Sequence, residues 1–406
     1  MSHVYNGEGV ARPEKMSQVP LEAIRYHYMD NLRALAMLLG IFFHAALAYS
    51  PMMQNLWLAA DPVNSIVMDS LAWFSHTFRM PLFFIIAGFF AVMLIEKRGI
   101  VGFMKHRLLR IGLPFIVFLP LCLTAVIMTI GWASNGVENP SPMLQMIKMM
   151  QNNPDAPQPP FSTMHLWFLF NLMLFCVVIA GVAKTRLLES SLVKSLCNAK
   201  VLLFVFPLIL VPAVMPQPTP LPAPERIYPE AWSFGFFGVF FLLGAALFTN
   251  KDAIEGIQKY VLFLLPASIA VYAGYYQLVP QSVSLEQLMA GPPVFEFSTQ
   301  QLGKALMTAY MATWMSLFCL VAGKALLDKQ NSIMRYISRS SYWVYIIHLP
   351  LLFLIQFMLL DVDTHFFVKY LIGSFGTLLI GLVSYQLFVV WTPIGTLLNG
   401  KKAKKS

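Results

Sequence analysis

Apolar runs of membrane-spanning length recur along this chain, separated by short polar stretches. A bilayer core about 30 Å thick takes roughly 20 apolar helical residues to cross. Ten stretches approach or exceed that length: 29–49, 68–95, 111–131, 164–184, 200–215, 232–249, 259–279, 302–326, 338–360 and 366–391. The fifth is short and holds Pro207 and Pro212, which blurs its ends. The first 28 residues are polar and irregular, predicting a tail rather than a cleavable signal peptide. The pattern predicts an all-α, polytopic membrane bundle of about ten transmembrane helices. A tail over 1–28 precedes one membrane domain over 29–391, and a basic tail occupies 392–406.

Charge supports that division. Of the 28 Lys and Arg, four (Lys148, Arg226, Lys304, Lys369) fall in the loops of one side, and two (Arg33, Arg79) lie inside apolar stretches. The rest crowd the alternate loops, which places both termini on the cytoplasmic side. The same crowding accounts for a net charge of +9 without nucleic acid, because basic loops face anionic lipid heads or an anionic ligand. At 58% hydrophobic and 12% charged residues, the chain is no ordinary soluble domain, which would carry about 25% charged residues. Cys122, Cys176, Cys197 and Cys319 show neither C-x-x-C nor metal-ligand spacing and predict no disulfide framework.

Two loops opposite the basic side are long. Residues 132–163 predict a short interfacial helix at 143–150 and a proline-rich end. Residues 215–231 read MPQPTPLPAPERIYPEA, whose spaced prolines favour an extended polyproline conformation. That segment is either a stiff connector or a rim shaping the outer mouth.

The candidate chemistry lies in polar residues within the apolar stretches, where each ionisable group is costly. In DNLRALAMLLGIFFH, Arg33 and His44 are eleven positions apart. Eleven steps of about 100° return to within roughly 20° of the start, so the two side chains share a helix face about 16 Å apart along the axis. Asp30 can pair with Arg33, and Met37 and Gly40 continue the stripe. In SHTFRMPLFFIIAGFF, His76 and Arg79 are three apart, and Pro81 predicts a kink beside the arginine. A buried arginine takes an acid, an anion or carbonyls as partner. Asp30 and Asp69 are the nearby acids, and the scarcity of others favours a ligand on Arg79. MHLWFLFNL sets His165 and Trp167 at the outer boundary, where Trp167 reads as an aromatic-belt anchor. SRSSYWVYIIHLPLL puts Tyr345 and His348 on one face near mid-membrane. Four histidines, His44, His76, His165 and His348, suggest a lined cavity suited to proton transfer near neutral pH. None are spaced i,i+4 on one helix and no cysteine joins them, so no metal site is expected.

These blocks resemble the membrane-bound acyltransferase 3 family. DNLRALAMLLGIFFH matches its opening span, with an Arg, ten residues and a His. FRMPLFFIIAGFF and the basic KHRLLRIGLP match the second span and the loop after it. HLWFL and SSYWVYIIHLPLL match later blocks in order. The resemblance implies transfer of an acyl group, acetyl or succinyl, from a cytoplasmic acyl-CoA-type donor to hydroxyls of an extracytoplasmic glycan such as a periplasmic glucan. It implies acyl-CoA as a co-substrate with no permanently bound cofactor, a bacterial inner-membrane location, and envelope glucan-synthesis proteins as partners beside lipid, donor and acceptor. Under it, His44 acts as base or transient acyl carrier and Arg79 holds the oxyanion or a free carboxylate. Arg33, with Asp30, orients the donor, and His76, His165, Tyr345 and His348 line the cavity. Lys97, Arg98, Lys105, Arg107 and Arg110 hold the CoA phosphates, or merely follow the positive-inside pattern. The rival readings are a secondary transporter or glycan exporter, against which no matched pair of broken helices is evident, and a non-catalytic assembly subunit.

Overall fold

The computed structural model describes residues 26–151, 153, 161–185, 187–284, 295–329 and 331–400. Most of the predicted amino-terminal tail, the basic end at 401–406 and the proline-rich 154–160 lie outside these residues.

Each predicted apolar stretch coincides with a helix. We label them α1 (His27–Leu47), α2 (Ile66–Arg107), α3 (Leu113–Gly136), α4 (Met164–Val182), α5 (Ala199–Val214), α6 (Ala231–Thr249), α7 (Val261–Tyr276), α8 (Thr299–Leu326), α9 (Ser332–Leu360) and α10 (Phe366–Val389). A short α11 (Pro393–Asn399) follows. Among the described residues, seven helical runs are long and apolar enough to cross a membrane, or eight if Asp252–Gln258 and α7, bent by 72° against each other, form one span. One of the seven, Ile66–Gly136, is a 71-residue run holding both α2 and α3, and α5 is a shorter apolar helix outside that count. The chain is a multi-pass, all-helical membrane protein.

The α2–α3 connection differs from the expected loop. The chain stays helical through Arg107 and then winds as a π turn over Leu108–Gly112. Backbone angles stay helical through Pro81; the non-helical residue of α2 is Gly99, at φ 69°. Only glycine takes that left-handed conformation without steric cost. Polar caps start the helices where the sequence supplies them: Ser65, Ser298 and Asn331 accept from backbone amides of the first turns of α2, α8 and α9. The predicted interfacial helix forms over Pro142–Gln151.

Glycines bring α2 and α6 into backbone contact. A methyl group on Gly88 would lie 1.9 Å from the Phe241 carbonyl oxygen, and one on Gly244 1.8 Å from that of Ile85. Lipid offers no hydrophobic drive between helices, so such close approach supplies the dispersion contact that holds them. Around this seam Phe84, Trp167, Phe168, Phe175 and Phe237 pack as aromatic pairs. Trp167 is therefore part of the protein core, buried at 7% exposure, and not the aromatic-belt anchor expected of it.

The end opposite the basic loops is fastened by buried polar groups. Asp69 accepts from the Ser50 hydroxyl, from Trp73 Nε1 at 2.9 Å and from the Tyr276 hydroxyl at 2.6 Å. Lys369 pairs with Asp61 at 2.8 Å, both buried. Lys369 is thus a buried ion-pair member rather than one of the loop charges with which its position grouped it.

Candidate active site

The stripe predicted on α1 is real, but its two ends serve different surroundings. Arg33 pairs with Asp30 at 3.2 Å and remains about one-third exposed. With Met37 it lines a cavity of about 2370 Å³ that opens at the basic end of the bundle. Arg98 and Arg107 line it from the end of α2, Arg110 from the π turn after it, and Arg335 and Arg339 from the start of α9. Lys97 and Lys105 are exposed and do not line it. The physical reason is the helical connection, whose phase turns the arginines inward and these lysines outward. Arg110 is already engaged: its Nη1 donates to the Thr396 and Leu397 carbonyls of α11 at 2.6 and 2.8 Å.

The inner end of the cavity is lined by Met37, Phe83, Phe168, Ser341 and Tyr342. Within about two helical turns on α1, α2 and α9 stand Gly40 and His44, Arg79, and Tyr345 and His348. There His44 Nδ1 lies 3.0 Å from His348 Nε2. His165 meets His348 edge-on with ring centres 4.9 Å apart. The Tyr345 hydroxyl donates to the His165 carbonyl at 2.5 Å. His165, expected at the membrane boundary, is thus buried in this cluster at 6% exposure.

Local sequence explains how the rings are held. Pro350 has no N–H, so the Ile346 carbonyl one turn earlier loses its helical donor. His165 Nε2 donates to that carbonyl at 2.9 Å, and the Cys122 thiol at 3.3 Å. A polyproline-like segment has no internal hydrogen bonds, which leaves the Leu221 carbonyl free to accept from His76 Nε2 at 2.8 Å. The 215–231 segment is pinned across this end of the bundle. Its Glu225 carbonyl accepts from the amide and the hydroxyl of Thr163, each at 2.8 Å, and Gln301 donates to the Met215 and Gln217 carbonyls at 2.9 and 2.8 Å.

Arg79 is 6% exposed and its Nε has no hydrogen-bond partner. The ion pairs among the described residues are Arg33–Asp30, Lys324–Glu255 and Lys369–Asp61, so Arg79 faces no acid. Asp30 and Asp69, the acids weighed for it, are bonded elsewhere. Its Cζ lies 4.6 Å from the Phe43 ring centre, and Phe43 also stacks on His76 at 5.1 Å. Gly40 makes room for it: a methyl group there would stand 2.7 Å from Nη1. His76 Nδ1 and His165 Nδ1 are likewise buried without partners. A buried, unpaired guanidinium beside free imidazole lone pairs suits a ligand with an anionic oxygen and a hydroxyl. Among the described residues no three His, Cys, Asp or Glu side chains converge as a metal-ligand group.

Sequence reasoning passed over Trp57 and Gln356. Trp57 stacks on His44 with ring centres 6.1 Å apart, and its Nε1 donates to Gln356 at 3.0 Å. Trp57 sits in a loop and carries no periodic signal. Arg335 and Arg339 were legible as an i,i+4 pair at the start of α9, yet only the fold sets them opposite Arg98 and Arg107.

An all-helical membrane bundle with a basic cavity at one end and a His/Arg cluster beyond it defines the class, and comparison with known proteins agrees. The acyltransferase 3 family, described as an acyltransferase domain, matches residues 26–386, and the chain belongs to that family. It is a membrane acyltransferase, a transferase of groups other than amino-acyl groups. Among curated relatives, the chain is similar to the glucans biosynthesis protein C of Salmonella schwarzengrund, 25% identical over 96% of this chain and 98% of that protein. The proteins of that name from Salmonella typhi and Salmonella typhimurium are each 25% identical over 92% of this chain and 91% of theirs. No solved structure matches the chain.

Proposed function

We propose that the protein moves an acyl group, succinyl or acetyl, from an acyl-CoA-type donor at the basic cavity to a hydroxyl of an extracytoplasmic glycan. The observation that carries this reading is a juxtaposition: a large arginine-lined cavity ends within about two helical turns of His44 on α1 and Arg79 on α2. The relatives' name points the acceptor toward a glucan. The bacterial inner membrane, with the basic loops and both termini on the cytoplasmic side, is the setting that fits the charge alternation. Envelope glucan-synthesis proteins are the partners this setting suggests.

In this reading the donor's phosphates pair with Arg98, Arg107, Arg335 and Arg339, and Arg33 steadies the pantetheine arm. The thioester carbonyl reaches the cluster. His44 takes the hydroxyl proton as the oxygen attacks, and Arg79 stabilises the oxyanion that forms. The C–S bond then breaks, and the proton passes to the thiolate. One positioned base contributes about 10²–10⁴-fold and one oxyanion donor about 10²–10³-fold.

Mass spectrometry of envelope glycans tests this in cells carrying the wild type, His44→Ala or no protein. An acyl ester present only with wild type is the expected result, and its mass names the group. Equal ester with His44→Ala at normal expression removes His44 from the chemistry. No ester in any strain, with the glycan present, turns the reading toward transport.

A further inference from the structure

We infer that His348 is a positioning residue: it fixes the hydrogen of His44 on Nδ1 and thereby leaves Nε2 as the atom that takes the acceptor's proton. The inference deepens the reading of His44 as the base and rests on it.

The argument starts from a group that can only accept. The Tyr345 carbonyl lies 2.6 Å from His348 Nδ1, so that nitrogen carries the ring hydrogen. A neutral imidazole has one hydrogen, and His348 Nε2 is then a bare lone pair. His44 Nδ1 stands 3.0 Å from it and is the donor of that bond. With its own hydrogen on Nδ1, neutral His44 presents Nε2 unprotonated. Among the described residues Nε2 makes no hydrogen bond, and His44 keeps partial exposure while His348 is 2% exposed.

Neither of the other histidines in the cluster does this for His44. His76 and His165 give their Nε2 hydrogens to the Leu221 and Ile346 carbonyls, and their bare Nδ1 atoms have no hydrogen-bond partner, His44 included. Both rings of the pair are also held from outside. His165 packs edge-on against His348. Trp57 lies within 9° of parallel to His44 and is anchored by Gln356, which in turn donates to the Ala45 carbonyl at 3.2 Å.

The proton count closes without a co-reactant. The acceptor's O–H proton moves to His44 Nε2 as the C–O bond forms, and the Nδ1–H to Nε2 bond on His348 steadies the resulting imidazolium. When the C–S bond breaks, the thiolate takes the proton from Nε2, and the pair returns to its starting tautomers. Among the described residues no carboxylate pairs with Arg79 to balance the imidazolium beside it, so the developing oxyanion is its counter-charge.

The test uses the full chain in lipid bilayers with 15N-labelled histidine, read by solid-state NMR, and the same variants in cells, read by glycan ester level. His44→Asn assigns the His44 signals. Wild type is expected to show His44 with a protonated Nδ1 and a bare Nε2, and His348→Phe to lose that signature. His348→Phe should lower the ester by about 10²–10⁴-fold, the share of one positioned base. His348→Gln, whose amide oxygen still accepts from Nδ1, should keep the tautomer and most of the ester. A wild-type His44 protonated on Nε2 overturns the inference. So does His348→Phe at the wild-type ester level where His44→Ala has none. If His44→Ala keeps the ester, the base reading itself fails, while the tautomer measurement still judges the His44–His348 bond. Should His348→Phe not fold, the wild-type tautomer and the Gln variant decide.

Discussion

At the cavity end, Arg98, Arg335 and Arg339 are exposed and share one wide chamber, with Arg33 and Arg107 deeper in. At the cluster end, His76, His165 and His348 each have a ring nitrogen bonded to a backbone carbonyl, and Arg79 is buried among aromatic rings. Both ends are polar, yet water does the solvating at one and the protein at the other. Exposed cations in a chamber can substitute for each other, because each contributes a screened and partly redundant share. A buried group with fixed partners has no substitute, because removing it leaves an unpaired atom in a low-dielectric site. Replacement should therefore grade activity at the cavity and switch it at the cluster.

The sharpest break of that contrast is Arg79→Gln, which keeps polarity and removes the charge. Transfer kcat should fall about 10²–10³-fold, the worth of one oxyanion donor, with the α-helical circular dichroism unchanged. A loss under tenfold would move Arg79 from chemistry to packing. The joint change Arg335→Gln with Arg339→Gln should raise the donor KM roughly tenfold with kcat held, the mark of lost ground-state binding. Lys97→Gln with Lys105→Gln should leave KM within about twofold, since both lie outside the chamber and exposed charges contribute little. Equal effects from the two pairs would dissolve the distinction between lining and surrounding charge.

The smallest effect lies away from both ends. Asp361, just past α9, accepts from the backbone amides of Glu138 and Asn139 at 2.9 Å each and from the Asn139 side chain at 3.2 Å. Burial is the largest single influence and raises its carboxyl, but these bonds and the Lys369 charge together outweigh it and hold the group below the ordinary carboxylate range. A depressed carboxyl stabilises the fold above its unfolded value, about 3.9, and that share is lost as pH falls through the folded value. Hydrogen exchange at the Glu138 and Asn139 amides should accelerate with acid relative to the base-line pH trend, and Asp361→Asn should abolish that acceleration.

Much of the site was readable one helix at a time. The eleven-residue spacing put Arg33 and His44 on one stripe, and the three-residue spacings put His76 with Arg79 and Tyr345 with His348. Pro350 frees the Ile346 carbonyl, and nothing local in the sequence says that His165 takes it. The errors share a cause. Lys369 and Trp167 were placed by position in a hydropathy profile, which measures distance from the end of an apolar run and not what packs beside it. Charge predicts a loop between α2 and α3, yet the chain is helical up to Arg107, and that phase decides which cations enter the chamber.

The sequence alone determined the class: apolar runs of bilayer length force helices, since a backbone in lipid must satisfy its own hydrogen bonds, and the family blocks follow in order. It also determined which residues were too costly to be idle. Only the tertiary structure decided their assortment. Arg33 and His44 share a helix but belong to different ends, and His44 finds its hydrogen-bond partner 304 residues away, in His348. Helical periodicity governs neighbours within about two turns, while pairing between helices depends on close-packed faces such as Gly88 against Phe241 and Gly244 against Ile85, whose meeting no local pattern encodes.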